Sequence, residues 1–397
     1  MSRFRQYCPE QGSLLPGNVE QELGAEHLCF TVRRVVAHLD LRAFEDSYSA
    51  EGGELYAPEL MLAVWIYAHT LGITSARQVE RRLVEDLAFR YLAAGQRVDN
   101  WALSAFRRRH SRALNDAITQ VLEQAQKRGA VKLGRVAIDS TRIKANASRD
   151  RVDTEQALRN RRARLRRQVR SWQKAADRED DEPSGVEMAV AELNKSLEDM
   201  PRRLERLQKS GMKKLSRTDE DARFLRQRDG FVLGYTAEIA VTDDHWIVAQ
   251  RVTQNAADNN SLLPLVDQVQ QRTRARPTQV LADSGFNSNT NLQQLEQQNI
   301  EGYVPDSNLA AELNLGRRCR QQMRDPAQRR MHARLRSPAG RATYARRKAI
   351  VEPVFGVLKQ QRNLRQFRTR GLSNVANEFT LAVLAYNITR LHALAAD

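Results

Sequence analysis

The sequence predicts a mixed α/β (α+β) fold with an all-helical start and an inserted helical hairpin, on three observations. Apolar residues recur at helical spacing through about residue 130. From Gly134 onward, short strand-like runs alternate with helical ones. Between the first strand and the next, residues 144–228 carry 23 basic and 16 acidic side chains yet keep helical spacing at their apolar positions. A chain of 397 residues is long enough for two to three domains and a sizeable core.

Taking the elements in order, Pro58 suits a first helical turn, and Leu60, Leu62, Val64, Trp65, Tyr67 and Ala68 supply a broad apolar surface that stops at Leu71-Gly72. Thr74 and Ser75 can cap a second helix, Ala76 to Glu85, with Val79 and Leu83 inward and Arg77, Gln78, Arg81 and Arg82 outward. Two helices joined by a short Gly turn read either as a packing unit or as a helix-turn-helix that lays those four side chains on DNA. A further helix is expected after Ser104, carrying Arg107, Arg108 and Arg109.

Gly134 to Asp139 reads as a short strand ended by its aspartate. Phe231 to Val241 alternates, placing Phe231, Leu233, Tyr235, Ala237, Ile239 and Val241 on one face and Glu238 on the less apolar one. Asp243-Asp244 turns this strand into His245 to Gln254, giving a hairpin. Asn255 to Asn260 reads as the N-cap of a helix, which makes Asp258 a capping residue. Thr278 to Asp283 is another short strand, stopped by Ser284-Gly285. In the insertion, Leu158, Leu165, Val169 and Trp172, then Ala189, Leu193, Leu197, Leu204 and Leu207, flank a break at Asp180 to Gly185 and predict an antiparallel helical hairpin. The expected division is a helical domain over 1–130, a core over 131–143 and 229–370, the insertion over 144–228, and a C-terminal helix over 371–397 packing on the core.

Lys plus Arg number 64 against 48 Asp plus Glu, a net charge of +16. Residues 316–370 alone hold 17 basic and two acidic side chains, Asp325 and Glu352, a local net of +15. Such a stretch attracts a phosphate backbone, whereas a membrane segment needs a strong apolar face beside its charge. The longest uncharged run, Leu60 to Ala76, is 17 residues and includes His69, Thr70, Gly72, Thr74 and Ser75, so no membrane span is expected. Cys8, Cys29 and Cys319 are few and far apart, which excludes a disulfide framework and fits a reducing compartment. Met1 to Tyr7 lacks the apolar core of a secretory signal. The seven histidines include no closely spaced pair, and no GxxxxGK[ST] loop is present, so a zincin helix, a His-pair nuclease and a phosphate-loop motor are disfavoured.

Three acids remain as candidates. Asp139 and Asp283 sit where strands end, and Glu352 lies in a helical stretch from Tyr344 to Gln366. Two strand-borne aspartates and a helix-borne glutamate can bind two Mg2+ ions, and two metals about 4 Å apart can activate water and stabilise a leaving phosphate oxygen. Lys359, seven residues beyond Glu352, returns to the same helical face and can hold a phosphate there.

The segments AIDSTRIKANAS around Asp139, VLADSGF around Asp283 and YARRKAIVEPVFGVLK around Glu352 resemble, in order, the catalytic blocks of bacterial insertion-sequence transposases of the DDE class. YAPELMLAVWIYAHTLGITSARQVERRL is similar to their N-terminal domain. The resemblance, from about residue 40 to the C-terminus, implies an RNase H-like core: a five-stranded mixed sheet flanked by helices. It implies Mg2+-dependent cleavage at transposon ends and strand transfer without a covalent enzyme intermediate, with Mn2+ able to substitute. It also implies double-stranded DNA partners (terminal inverted repeats and target), a homodimer or higher multimer on DNA, and a bacterial cytoplasmic, nucleoid-associated location. Carried onto this chain, the metal ligands fall on Asp139, Asp283 and Glu352. Tyr344, a basic residue among Arg346, Arg347 and Lys348, and Lys359 resemble the family's Tyr, Arg, Glu, Lys signature. The alternatives are an inactive DNA-binding relative acting as a regulator, or a structure-specific nuclease on the same fold.

Overall fold

The computed structural model describes residues 18–48, 55–176, 184–227, 230–315 and 325–396. Cys8, Cys319, the Met1 to Tyr7 segment, the 180–183 part of the insertion break and the basic residues between 316 and 324 lie outside them.

The helical start holds α1 (Leu28–Ala37), α2 (Pro58–Thr70), α3 (Ala76–Glu85), α4 (Asn100–Arg109) and α5 (Ser111–Lys127). Every residue of α2 from Leu60 to His69 is buried, so this helix is a central element with neighbours on all sides. Gly72 ends it at φ +69°, where a side chain would be strained, and a Cβ there would also stand 3.1 Å from the Arg362 backbone. α4 starts earlier than expected because Asp99 caps it, accepting from Ala102 N–H at 2.8 Å. Arg107 is not a surface cation. It is buried, donates to Thr74 O at 2.8 Å and lies 4.6 Å from the Trp65 ring centre.

The core follows with β1 (Arg135–Lys144) and, after the insertion helices α6 (Glu155–Ala176) and α7 (Ser184–Ser210), β2 (Arg223–Gln227), β3 (Gly230–Thr242) and β4 (Ile247–Thr253). Then come α8 (Leu262–Thr273), β5 (Gln279–Ala282), α9 (Asn289–Gln297), β6 (Glu301–Tyr303), α10 (Pro326–Arg336), α11 (Pro338–Gly356) and α12 (Leu372–Ala396). The main sheet runs β4-β3-β1-β5-β6, antiparallel through β3 and parallel from β1 to β6. That is the five-stranded mixed sheet of the expected fold. A sixth strand, β2, comes from the insertion and pairs with the Gly230 to Gly234 end of β3.

Three expectations change here. β1 does not end at Asp139; it continues to Lys144, held by antiparallel pairing as far as Lys144 opposite Gly234. Gly234 is required for that approach, since a Cβ would fall 2.0 Å from Ile143 O. β3 is not one-sided: residues 232–242 are all buried, whereas Phe231 is 56% exposed. A central strand covered on both faces loses the inside-outside alternation. The insertion hairpin forms, with Leu158, Leu165, Met200, Leu207 and Leu215 as its own small core, but Trp172 stands 42% exposed.

α12 is apolar nearly all round and packs against α2, α5 and β4. Its Asn387 side chain accepts from Ile247 N–H at 3.1 Å and donates to Ile247 O at 2.9 Å. One continuous hydrophobic cluster runs from Cys29 through the sheet to Leu391. Among the described residues, no helix is long and apolar enough to cross a membrane.

Candidate active site

Register places the two aspartates. Ile138 of β1 pairs with Ala282 of β5 in parallel, so Asp139, still on β1, and Asp283, the residue just past β5, come next on adjacent paths. Beyond that point β1 goes on, while the segment after β5 turns into the short helix Ser284–Phe286. Each carboxylate is fixed by a nearby backbone N–H: Ser140 N donates to Asp139 Oδ1 at 2.8 Å, and Gly285 N donates to Asp283 Oδ1 at 2.9 Å.

Burial raises the pKa of both. Asp139 is pushed up to about 6 by burial and by the neighbouring Asp283, against the pull of Arg347 and the Ser140 N–H. Asp283 is pushed up by burial and by Asp258, with Arg347, the Gly285 N–H and Arg142 opposing.

Among the three basic candidates on α11, Arg347 reaches these acids. Its Nη1 donates to Asp139 Oδ2 at 3.0 Å, and its guanidinium lies 6.0 Å from the Tyr344 ring centre. Arg346 points to Asp243, 3.8 Å away, and Lys348 is exposed. An open cavity of about 360 Å3 is lined by Leu313, Arg341, Tyr344, Ala345, Arg347 and Lys348. Lys359 does not sit on a regular helical face. It lies in a π-helical turn, Val357–Gln361, closed by Arg362 N–H donating to Val357 O at 3.0 Å, and this wider turn changes its register relative to Glu352. There Lys359 is half-buried, its pKa lowered by burial and Arg365 and partly restored by Asp139.

Glu352 is exposed on α11, five residues beyond Arg347. Among the described residues, no group of three His, Cys, Asp or Glu side chains stands close enough to hold one metal ion. In donor chemistry the two aspartates do fit a divalent cation: they are adjacent oxygen ligands, largely buried, whose mutual repulsion a cation would relieve.

Asp258, at the N-cap position of the turn Asn259–Ser261, and Glu238, within β3, do more than the sequence reading assigns them. Asp258 caps nothing with its side chain; its Oδ1 accepts from Arg142 Nη1 at 3.1 Å and its Oδ2 from Ser140 Oγ at 3.0 Å. Arg142 also donates to Thr236 Oγ1 at 2.7 Å and to Ala256 O at 2.9 Å. Glu238 is fully buried opposite Ser140, and burial pushes its carboxyl up to about 7. Strand alternation puts Ser140, Arg142 and Glu238 on the face opposite Asp139, so this network braces the aspartates from behind. A signal for it was present in Arg142, a cation three residues after Asp139 on what proves to be the same strand.

Arg77, Gln78, Arg81 and Arg82 are exposed along α3, with Arg82 3.7 Å from Asp86. They belong to the helical start and are not gathered with the carboxylates.

Residues 132–388 match a family model described as a transposase DDE domain, and residues 18–109 match one described as a transposase domain (DUF772). No curated protein and no solved structure matches the chain. The first model spans well over half of the sequence and takes in the whole mixed sheet, and the chain therefore belongs to the family of DDE transposases.

Proposed function

We propose that this DDE transposase cuts phosphodiesters at the ends of a mobile DNA segment and joins the freed 3′-hydroxyl to target DNA, with Asp139, Asp283 and Glu352 as its three acids. The observation that carries the reading is the side-by-side placement of Asp139 and Asp283 after Ile138 and Ala282, faced by Arg347. Asp139 and Asp283 would hold Mg2+; Glu352, exposed on α11 and not grouped with them, is the third acid by its place in the family's motif order alone. When bound, the metal supplies a nucleophile at neutral pH and stabilises developing charge on phosphate oxygens.

The chain's own groups do the rest. The Ser140 and Gly285 N–H groups orient the two carboxylates. Arg347 and Lys359 are the cations beside Asp139, placed to take non-bridging phosphate oxygens of the strand being cut. Arg341 and Lys348 extend that charge along the cavity next to Tyr344. The outward face of α3, with Arg77, Gln78, Arg81 and Arg82, is the candidate reader of end DNA. Two ends must be joined, so a dimer or larger multimer on duplex DNA is the expected working form.

The test uses purified wild-type and Asp283→Asn protein with a plasmid carrying the gene's own flanking DNA, with and without Mg2+, mapping 3′ ends and joined products. Metal-dependent cuts at paired inverted sequences, absent in the variant, are expected. Cuts without joined product would leave a structure-specific nuclease. The exposure of Glu352 favours one second reading, an inactive DNA-binding relative; salt-sensitive binding with no cuts under any metal would establish it.

A further inference from the structure

We infer that the outer face of α6 is a second, sequence-independent binding surface for the phosphate backbone of duplex DNA, an inference that rests on the DNA-acting reading above. α6 holds eight Lys or Arg and one acid, Glu155. Its apolar side chains Leu158, Leu165 and Val169 turn inward, and on the opposite side Arg164, Arg167, Arg170 and Lys174 recur once per turn, all exposed.

The two helices of the hairpin use their arginines differently. On α7, Arg203 pairs with Asp153 at 3.1 Å and with Glu220 at 3.3 Å, and Arg206 pairs with Glu220 at 2.9 Å and also with Asp221. On α6, the one ion pair among the described residues is Arg159 with Glu155 at 2.6 Å. The stripe is therefore charge that the fold does not consume.

Its dimensions suit a phosphate backbone. From Arg164 to Lys174 the helix rises about 15 Å at about 1.5 Å per residue. One DNA strand presents a charge about every 3.4 Å along its axis, so four cations face about four phosphates. An acidic protein partner is the poorer fit, because a protein interface needs an apolar centre and the outer stripe carries nothing apolar larger than Ala163.

The hairpin is also a braced arm. Asp153 at its root accepts from Arg217 Nε at 2.8 Å as well as from Arg203. Asp219 accepts from Tyr235 Oη of β3 at 2.7 Å and from Gly371 N at 3.1 Å. The arm leaves the core at Lys144, on the strand that carries Asp139. DNA held along α6 is thereby tied to the strand bearing the first acid.

The experiment measures the affinity of the full-length protein for a fluorescein-labelled end duplex and for an unrelated duplex across a NaCl series. In the triple variant Arg164→Gln, Arg167→Gln, Arg170→Gln, the slope of log affinity against log salt is expected to fall by about 2.7, at about 0.9 per lost phosphate contact, on both duplexes. The thermal midpoint should not move, and the matching triple Lys variant should keep the wild-type slope. An unchanged slope in the Gln variant, beside a wild type that binds, overturns the inference while leaving the transposase reading intact. A changed sedimentation mass with unchanged DNA binding also overturns it, making α6 a contact between copies. A wild type that binds neither duplex overturns both.

Discussion

Ser140 joins Asp139, the first of the proposed acids, to a buried ion pair: its N–H donates to Asp139 Oδ1 at 2.8 Å while its hydroxyl donates to Asp258 Oδ2 at 3.0 Å. Asp258 in turn holds Arg142, and both side chains are mostly buried. A Cβ added at Gly285, whose N–H fixes Asp283, would lie 3.3 Å from Asp258 Oδ2. Asp258 thus stands behind the supports of both aspartates.

Replacing Asp258 by Asn leaves the Arg142 guanidinium buried without its counter-charge, which should cost about 3 kcal/mol, read from urea unfolding. Ser140→Ala removes one hydrogen bond to a charged group and should cost about 2 kcal/mol. Cleavage by either variant, assayed where it is folded, should fall by about tenfold or more because the aspartates lose their backing. Wild-type cleavage in folded Asp258→Asn would show that the network is structural alone.

Arg347 is the cation in direct contact with Asp139. Arg347→Gln should lower cleavage by about 100-fold, the usual loss when a charge-stabilising donor is removed from a site. Its pH profile adds a second readout. Arg347 pulls the Asp139 pKa down from where burial would put it, so its loss should move the acid limb of the rate profile to higher pH. Arg347→Lys should recover part of the rate, since a point charge replaces a planar fork.

Glu238 should make stability fall as pH rises. Its pKa is raised from 4.5 to about 7 because burial disfavours the charge. The folded state keeps this proton at pH values where the unfolded chain has lost it. The stability Glu238 contributes is therefore full below about 4.5 and is lost as pH climbs through 7. The span is on the order of 3 kcal/mol by linkage. Glu238→Gln should flatten that part of the unfolding free-energy curve against pH; a slope equal to wild type would remove Glu238 as its source.

Local chemistry made the helical start and the strand hairpin readable from the sequence: Pro58, Gly72 and the Val79, Leu83 spacing mark α2 and α3, and the acidic turn at Asp243-Asp244 joins β3 to β4. It also singled out Asp139 and Asp283, because an acid following Ile138 or Ala282 stands against its apolar strand. The buried partners of Glu238 and Asp258 are not legible in the sequence for one reason. Whether a polar residue meets solvent or a buried partner depends on which layers cover the sheet, and alternation along one strand is silent about that. The length of β1 was likewise set by its partner β3 and by the space at Gly234, since residues 139–144 taken alone have no apolar run.

The sequence by itself therefore determined the kinds of element, the concentration of positive charge and the acids that stand out against apolar strands, all of which follow from neighbours along the chain. Only the tertiary structure decided that Asp139 lies beside Asp283, that Arg347 and not Arg346 or Lys348 reaches them, and that Asp258 backs the site. Those relations depend on strand register, on the turn of α11 about its axis and on a fully covered sheet, which arise only when residues more than a hundred positions apart pack together.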